Sequence, residues 1–188
     1  MAIKKQWFEI IAPKMFGERI VGETLAVDPK YLMGRKIHVS LMELSRNYSQ
    51  FFINLELRIE KIEGNKAFTK IIGHDIMRER IYRMVQRHGR RVDVIQDVVT
   101  KDGIKLRIKT VFMLLRRVGT SVKDAARTYA RQSVEDYVKE TRFEDLMEKI
   151  IKGEMQVQLK RQCSRVYPVG QLEIRKTELA PEKKAVAA

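Results

Sequence analysis

Residues 51 to 64 read FFINLELRIEKIEG, with apolar and polar positions alternating almost without a break. Phe51, Ile53, Leu55, Leu57 and Ile59 fall on one side and Asn54, Glu56, Arg58 and Glu60 on the other, the signature of a half-buried strand. Gly64-Asn65 supplies a tight turn before KAFTKII, so a hairpin is predicted there. A second hairpin follows the same logic. RVDVIQDVVT leads to the turn signal Asp102-Gly103 and then to IKLRIKTVFMLL, where Ile104, Leu106, Ile108, Phe112 and Leu114 share a face. Shorter strands fit RIVGETLAV and RKIHVSLMEL. Roughly five to seven antiparallel strands need their edges closed or covered, which predicts a barrel or a strongly curved sheet.

The period changes between the hairpins. Over residues 75–88, Met77, Ile81, Met84 and Val85 recur at helical spacing, with Asp75 as N-cap and Gly89 as stop, so a short inserted helix is expected. Near residue 118 the spacing becomes three to four for good. Thr120 or Ser121 can cap a helix with an apolar stripe of Val122, Ala126, Tyr129 and Tyr137, and Thr141 to Glu144 reads as a capping box for the next one. After Gly153 the period is ambiguous: a third helix is expected, although Met155, Val157 and Leu159 also alternate. QLEIRK adds a last strand. The chain therefore reads as α+β: an antiparallel β-barrel-like core over 1–118 with the inserted helix, a helical part over 119–181 ending in a strand, and a mobile tail over 182–188.

Composition changes the picture in one direction. Of 188 residues, 38 are Lys or Arg and 24 Asp or Glu, a formal net charge of +14, and 44% are hydrophobic. Such a chain can bury a core and is not a disordered polycation, so its charge concerns its partners. The single cysteine, Cys163, permits no internal disulfide and fits a reducing compartment. Neither a secretory leader nor a membrane span is expected, since the longest apolar run, VFMLL, falls far short of the roughly 20 residues that cross a bilayer.

Catalytic chemistry has little material. His38, His74 and His88 lie on different predicted elements without a carboxylate or cysteine at ligand spacing, and no phosphate-binding glycine loop or nucleophile elbow is present. The basic residues are better organised. Arg80, Arg83 and Arg87 share a helix face, with Arg78 beside them and Arg90 and Arg91 just beyond. Lys105, Arg107 and Lys109 alternate along a strand, Arg116 and Arg117 follow, and Lys123, Arg127 and Arg131 stand four apart on the next helix. Residues 75–117 hold 12 Lys and Arg against 5 Asp and Glu, so this segment carries half the net charge. Like charges at helical spacing repel, and guanidinium groups fork onto phosphate, so a polyanion read by backbone and shape is the simplest occupant. Lys4 and Lys5 form a further basic candidate with Trp7, for which a core position is expected ahead of RNA insertion. Two rivals stay open: an RNA-processing enzyme resting on His74, Asp75 and His88, and a DNA-binding module using the same charges.

Four stretches carry a resemblance. KKQWFEIIAPKMF at 4–16, GRKIHVSLMEL at 34–44, VDVIQDVVTKDGIKLRI at 92–108 and VYPVGQLEIRKTELAP at 166–181 together resemble the S3Ae (eS1) family, the small-subunit ribosomal proteins shared by archaea and eukaryotes. The chain is similar to archaeal members in lacking long basic and charged extensions. The resemblance implies a β-barrel-like core on the platform of the small subunit, near the messenger exit and the 3′ end of its RNA, in the cytoplasm. It implies ribosomal RNA and neighbouring ribosomal proteins as partners, with messenger RNA near the exit a further candidate. It implies no catalytic activity, cofactor, metal, membrane or homo-oligomer.

Overall fold

The computed structural model describes residues 5–45 and 47–180 and divides the chain into two units, Met1–Met77 and Arg78–Ala188. Lys4 and the 182–188 tail lie outside the described residues. Strands and helices in both units make this an α+β fold, as expected.

The N-terminal unit contains β1 (Gln6–Ile11), β2 (Ile20–Ala26), β3 (Lys36–Ser40), α1 (Leu41–Ser45), β4 (Ile53–Glu63) and β5 (Lys66–Ile76). Its strands lie in the order β2-β1-β5-β4-β3. The predicted hairpin is β4–β5, turned at Gly64-Asn65 with Glu63 opposite Lys66. Ile53, Leu55, Leu57 and Ile59 are buried along its inner face, whereas Phe51, ahead of the strand, is exposed. Phe8, Ala26, Leu32, Ile59 and Ala67 form a core cluster.

Two expectations fail in this unit. β1 pairs parallel with β5, so the sheet is not wholly antiparallel; the buried Thr69 hydroxyl donates to the Ile11 carbonyl at 2.7 Å and helps hold that pairing. β2 and β3 end the order, so the sheet is not closed, a point that the alternation alone leaves undecided. Residues 41–44 are not strand, because Leu41 and Leu44 bury together at a spacing that only a helical turn provides.

The C-terminal unit runs α2 (Arg78–Met84), β6 (Arg90–Val99), β7 (Lys105–Leu114), α3 (Thr120–Glu140), α4 (Phe143–Lys152), α5 (Glu154–Cys163) and β8 (Val169–Leu179). The predicted hairpin is β6–β7, and β8 pairs antiparallel with β7. The inserted helix is shorter than expected. Asp75 belongs to β5 opposite Asn54, not to a cap, and only Ile81 and Met84 are buried, Met77 and Val85 being exposed. Beyond the helix His88, not Gly89, takes the left-handed conformation, with φ 67°.

In α3 the buried stripe is Ala126, Ala130, Val134 and Val138, with Tyr129 and Tyr137 only half-buried at its side. Thr141 makes no capping box: its hydroxyl donates to the Tyr137 carbonyl at 2.8 Å. The cap on α4 comes from the hairpin turn, where Asp102 Oδ2 accepts the Phe143 N–H at 3.0 Å. The ambiguous segment after Gly153 is helical, because Met155, Leu159 and Cys163 are buried four apart while Val157 is exposed.

Candidate nucleic-acid interface

The β6–β7 hairpin organises the basic residues of the C-terminal unit. Its turn end, at Asp102-Gly103, meets the far end of α3, since the Lys101 N–H donates to the Thr141 carbonyl at 3.2 Å. Midway, Gln96 Nε2 donates to the Arg131 carbonyl at 3.3 Å. α3 therefore runs back along β6, and its first turn lies at the open end of the hairpin, where β6 begins and β7 finishes. The lengths agree, because 21 helical residues and a ten-residue strand each span about 30 Å.

That open end is where arginine collects. Arg90 lies opposite Leu114, so Arg87 and Arg90 enter the hairpin beside the point where Arg116 and Arg117 leave it. Lys123, half-buried, stands one turn into α3. Arg87, Arg116 and Arg117 are exposed, and none of Arg87, Arg90, Arg116, Arg117 and Lys123 forms an ion pair with another described residue. The backbone is tightly built here: a Cβ on Gly89 would lie 3.1 Å from Met113 Cε, 3.2 Å from the Leu114 carbonyl and 3.3 Å from that of Gln86. Arg78 and Arg83 on α2 are also exposed and form no ion pair with a described residue.

Five of the other predicted cations are engaged by acids. Arg80 reaches β8 and pairs with Glu173 at 3.1 Å. Burial pushes the Glu173 carboxyl above its usual range, and Arg80 pulls it partly back. Arg91 forks onto Asp93 with contacts down to 2.7 Å, and Arg107 holds Asp97, its cross-strand partner, at 2.7 and 2.9 Å. Lys109 pairs with Glu178 at 2.7 Å, and Lys176 joins at 3.1 Å. These two lysines hold Glu178 below the ordinary carboxylate range, against a smaller opposing effect of burial. Arg127 pairs with Asp124 one turn back, at 2.8 Å. The strand stripe is thus mostly neutralised: Lys105 is exposed and without an ion pair among the described residues, Arg107 and Lys109 are not. Arg131 is exposed midway along α3.

In the N-terminal unit, Trp7 is 61% exposed, which overturns its expected core position. It lies on β1 opposite Leu25, so Trp7 belongs to a sheet strand, with Lys5 exposed just before it. Strand-by-strand reading also missed a row across strands. Lys36 lies opposite Arg58, and Arg58 opposite Lys70.

His74 is buried within β5, and Asp75 beside it lies opposite Asn54. His88 is exposed, four residues beyond the end of α2. Burial raises the Cys163 thiol to about 11, the opposite of an activated nucleophile. Among the described residues no group of three or more His, Cys, Asp or Glu side chains could hold a metal ion, and no helix is long and apolar enough to cross a membrane.

The features together define a class: a strongly basic α+β protein with an unneutralised arginine cluster at one end of a hairpin. The comparisons with known proteins specify it further. The model of the Ribosomal S3Ae family matches residues 2–182. Among similar proteins, the small ribosomal subunit protein eS1 of Methanothrix thermoacetophila is 35% identical over 175 residues, covering 93% of this chain and 83% of the relative. Those named eS1 from Sulfurisphaera tokodaii and Methanothermobacter thermautotrophicus are 33% and 32% identical, covering 93% and 95% of this chain and 91% and 92% of their own. The chain belongs to the Ribosomal S3Ae family, a family of ribosomal proteins and not of enzymes, and resembles its archaeal members.

Proposed function

We propose that the chain is a structural constituent of the small ribosomal subunit that holds ribosomal RNA through phosphates, with the open end of the β6–β7 hairpin as its principal grip. The observation that carries this is the cluster of Arg87, Arg90, Arg116 and Arg117, four guanidinium groups without acidic partners among the described residues. Guanidinium forks match phosphate oxygens, and a polyanion screens the mutual repulsion that otherwise burdens such a cluster. Arg78 and Arg83 on α2, Lys123 and Arg131 on α3, Lys105 on β7 and Lys5 before β1 add exposed or half-exposed positive charge. Arg80, Arg91, Arg107, Lys109 and Arg127 contribute mainly through their ion pairs.

The family resemblance further supports a position on the platform near the messenger exit, with neighbouring ribosomal proteins, and messenger RNA where it leaves, as additional partners. In a lysate the protein should sediment with small subunits and leave them at high salt, and structured ribosomal RNA should compete better than duplex DNA of equal length. Equal competition by duplex DNA would favour the DNA-binding reading. Product formation on RNA by the purified protein would instead support the enzyme reading.

A further inference from the structure

The outer face of the β4–β5 hairpin carries an arrangement that the arginine cluster does not use. Lys36, Arg58 and Lys70 stand directly opposite one another on three adjacent strands, and all three are exposed. Like charges facing each other across a sheet are destabilising. Lys36 is answered by Glu56 at 2.9 Å, but Arg58 and Lys70 form no ion pair with any described residue. The Arg58 guanidinium lies against Gly34, whose Cβ, if it had one, would be 3.5 Å from its nitrogen, so the group is laid along the sheet surface rather than projected away from it. Two residues along β5 from Lys70 comes Phe68, half-buried, with Ala67 and Thr69 turned to the buried side. Lys61 lies opposite Phe68 and is engaged by Glu63, and Lys66 faces Glu9 and Glu63. The cations of the face without an ion pair are therefore Arg58 and Lys70, beside one aromatic ring, with the exposed Glu60 next to them at the register shift of β4.

We propose that this face binds a single-stranded segment of RNA, Arg58 and Lys70 taking its phosphates and Phe68 supporting an unpaired base. The inference rests on the RNA-binding reading above and adds a second contact surface and the kind of RNA it takes. Two cations beside a ring on a sheet surface match the stacking platforms that hold single strands, whereas a duplex offers no free base face to the ring. Lys36, released from Glu56, completes the row as a third cation.

The test uses the full chain and an unpaired oligoribonucleotide of about 12 nucleotides, within the site sizes such platforms use, read by fluorescence anisotropy across salt concentrations. For the pair Arg58→Gln and Lys70→Gln, the slope of log affinity against log salt should become shallower by about 1.4, at about 0.7 per single-strand phosphate. Phe68→Leu should weaken binding about 5- to 150-fold with the slope unchanged. Circular dichroism checks that each variant is folded, and the Gln pair, confined to exposed side chains, tests the face even if Phe68→Leu is destabilised. An unchanged slope in the Gln pair overturns the inference, as does a duplex of equal length competing as well as the single strand. If the Gln pair behaves as wild type while loss of the hairpin arginines weakens RNA binding, this inference falls and the broader reading stands. Absence of any RNA binding by the wild-type chain removes both.

Discussion

Arg80 and Arg83 are three residues apart on one short helix, yet we predict opposite consequences of losing them. Arg80 pairs with Glu173 at 3.1 Å, the two side chains being 41% and 14% exposed. Breaking a fully buried pair costs about 3–5 kcal/mol and an exposed one about 0–1 kcal/mol. With a half-covered guanidinium, Arg80→Ala should cost about 1–2 kcal/mol near neutral pH. The pH dependence has a definite sign. Burial raises the Glu173 carboxyl above its unfolded value and Arg80 pulls it back, so this group's contribution to stability falls as pH rises through its folded pKa. Without Arg80 the folded pKa rises further and the fall is larger. The mutational penalty should therefore be larger at pH 7 than at about pH 4, below the ordinary carboxyl pKa. Urea titrations of wild type and Arg80→Ala at the two pH values measure it, with m checked for constancy. Arg83→Ala should stay within about 0.5 kcal/mol of wild type while weakening RNA binding. A penalty for Arg80→Ala equal at both pH values, or normal stability with impaired RNA binding, would refute the division between structural and gripping arginines.

Two further predictions concern the scaffold under the grip. Asp102→Ala removes the acceptor for the Phe143 N–H and should cost about 0.5–2 kcal/mol, the usual value of an N-terminal helix cap, measured by urea titration; a neutral result would show that water replaces it fully. Gly89→Ala forces a methyl toward two backbone carbonyls and Met113, and should lower the thermal midpoint measurably, with RNA affinity reduced at temperatures where the variant remains folded.

Much of the fold was legible because its signal is local. Both hairpins follow from alternation and turn residues, and α5 from burial four residues apart, although there the sequence itself left two periods open. β1 was missed because six residues with a register shift at Ile10–Ile11 give too short an alternation, and its parallel partner is over fifty residues away. The helix cap was misassigned for a related reason: Asp102 lies 41 residues from the amide it accepts, so no local motif encodes it. For the site, the sequence located the cations but not their partners. The loop of that hairpin is three residues long, 101–103, and counting outward from its centre at Asp102 puts Asp97 opposite Arg107, whereas a two-residue Asp102-Gly103 turn would have put it opposite Ile108. No comparable count predicts that Glu173 reaches Arg80 or that Lys36 faces Arg58, since both depend on strand order, and the register shift between Ile59 and Lys61 is what brings Arg58 opposite Lys70.

The central claim is that the open end of the β6–β7 hairpin grips RNA by its phosphates. It is tested most directly by the salt dependence of binding to structured ribosomal RNA, for wild type and for the combined change Arg87→Gln, Arg90→Gln, Arg116→Gln and Arg117→Gln. At about 0.7–0.9 per phosphate, loss of four contacts should make the slope shallower by roughly 3 and leave the unfolding midpoint nearly unchanged. A slope identical to wild type in the folded variant would contradict the claim and place the grip elsewhere on the chain.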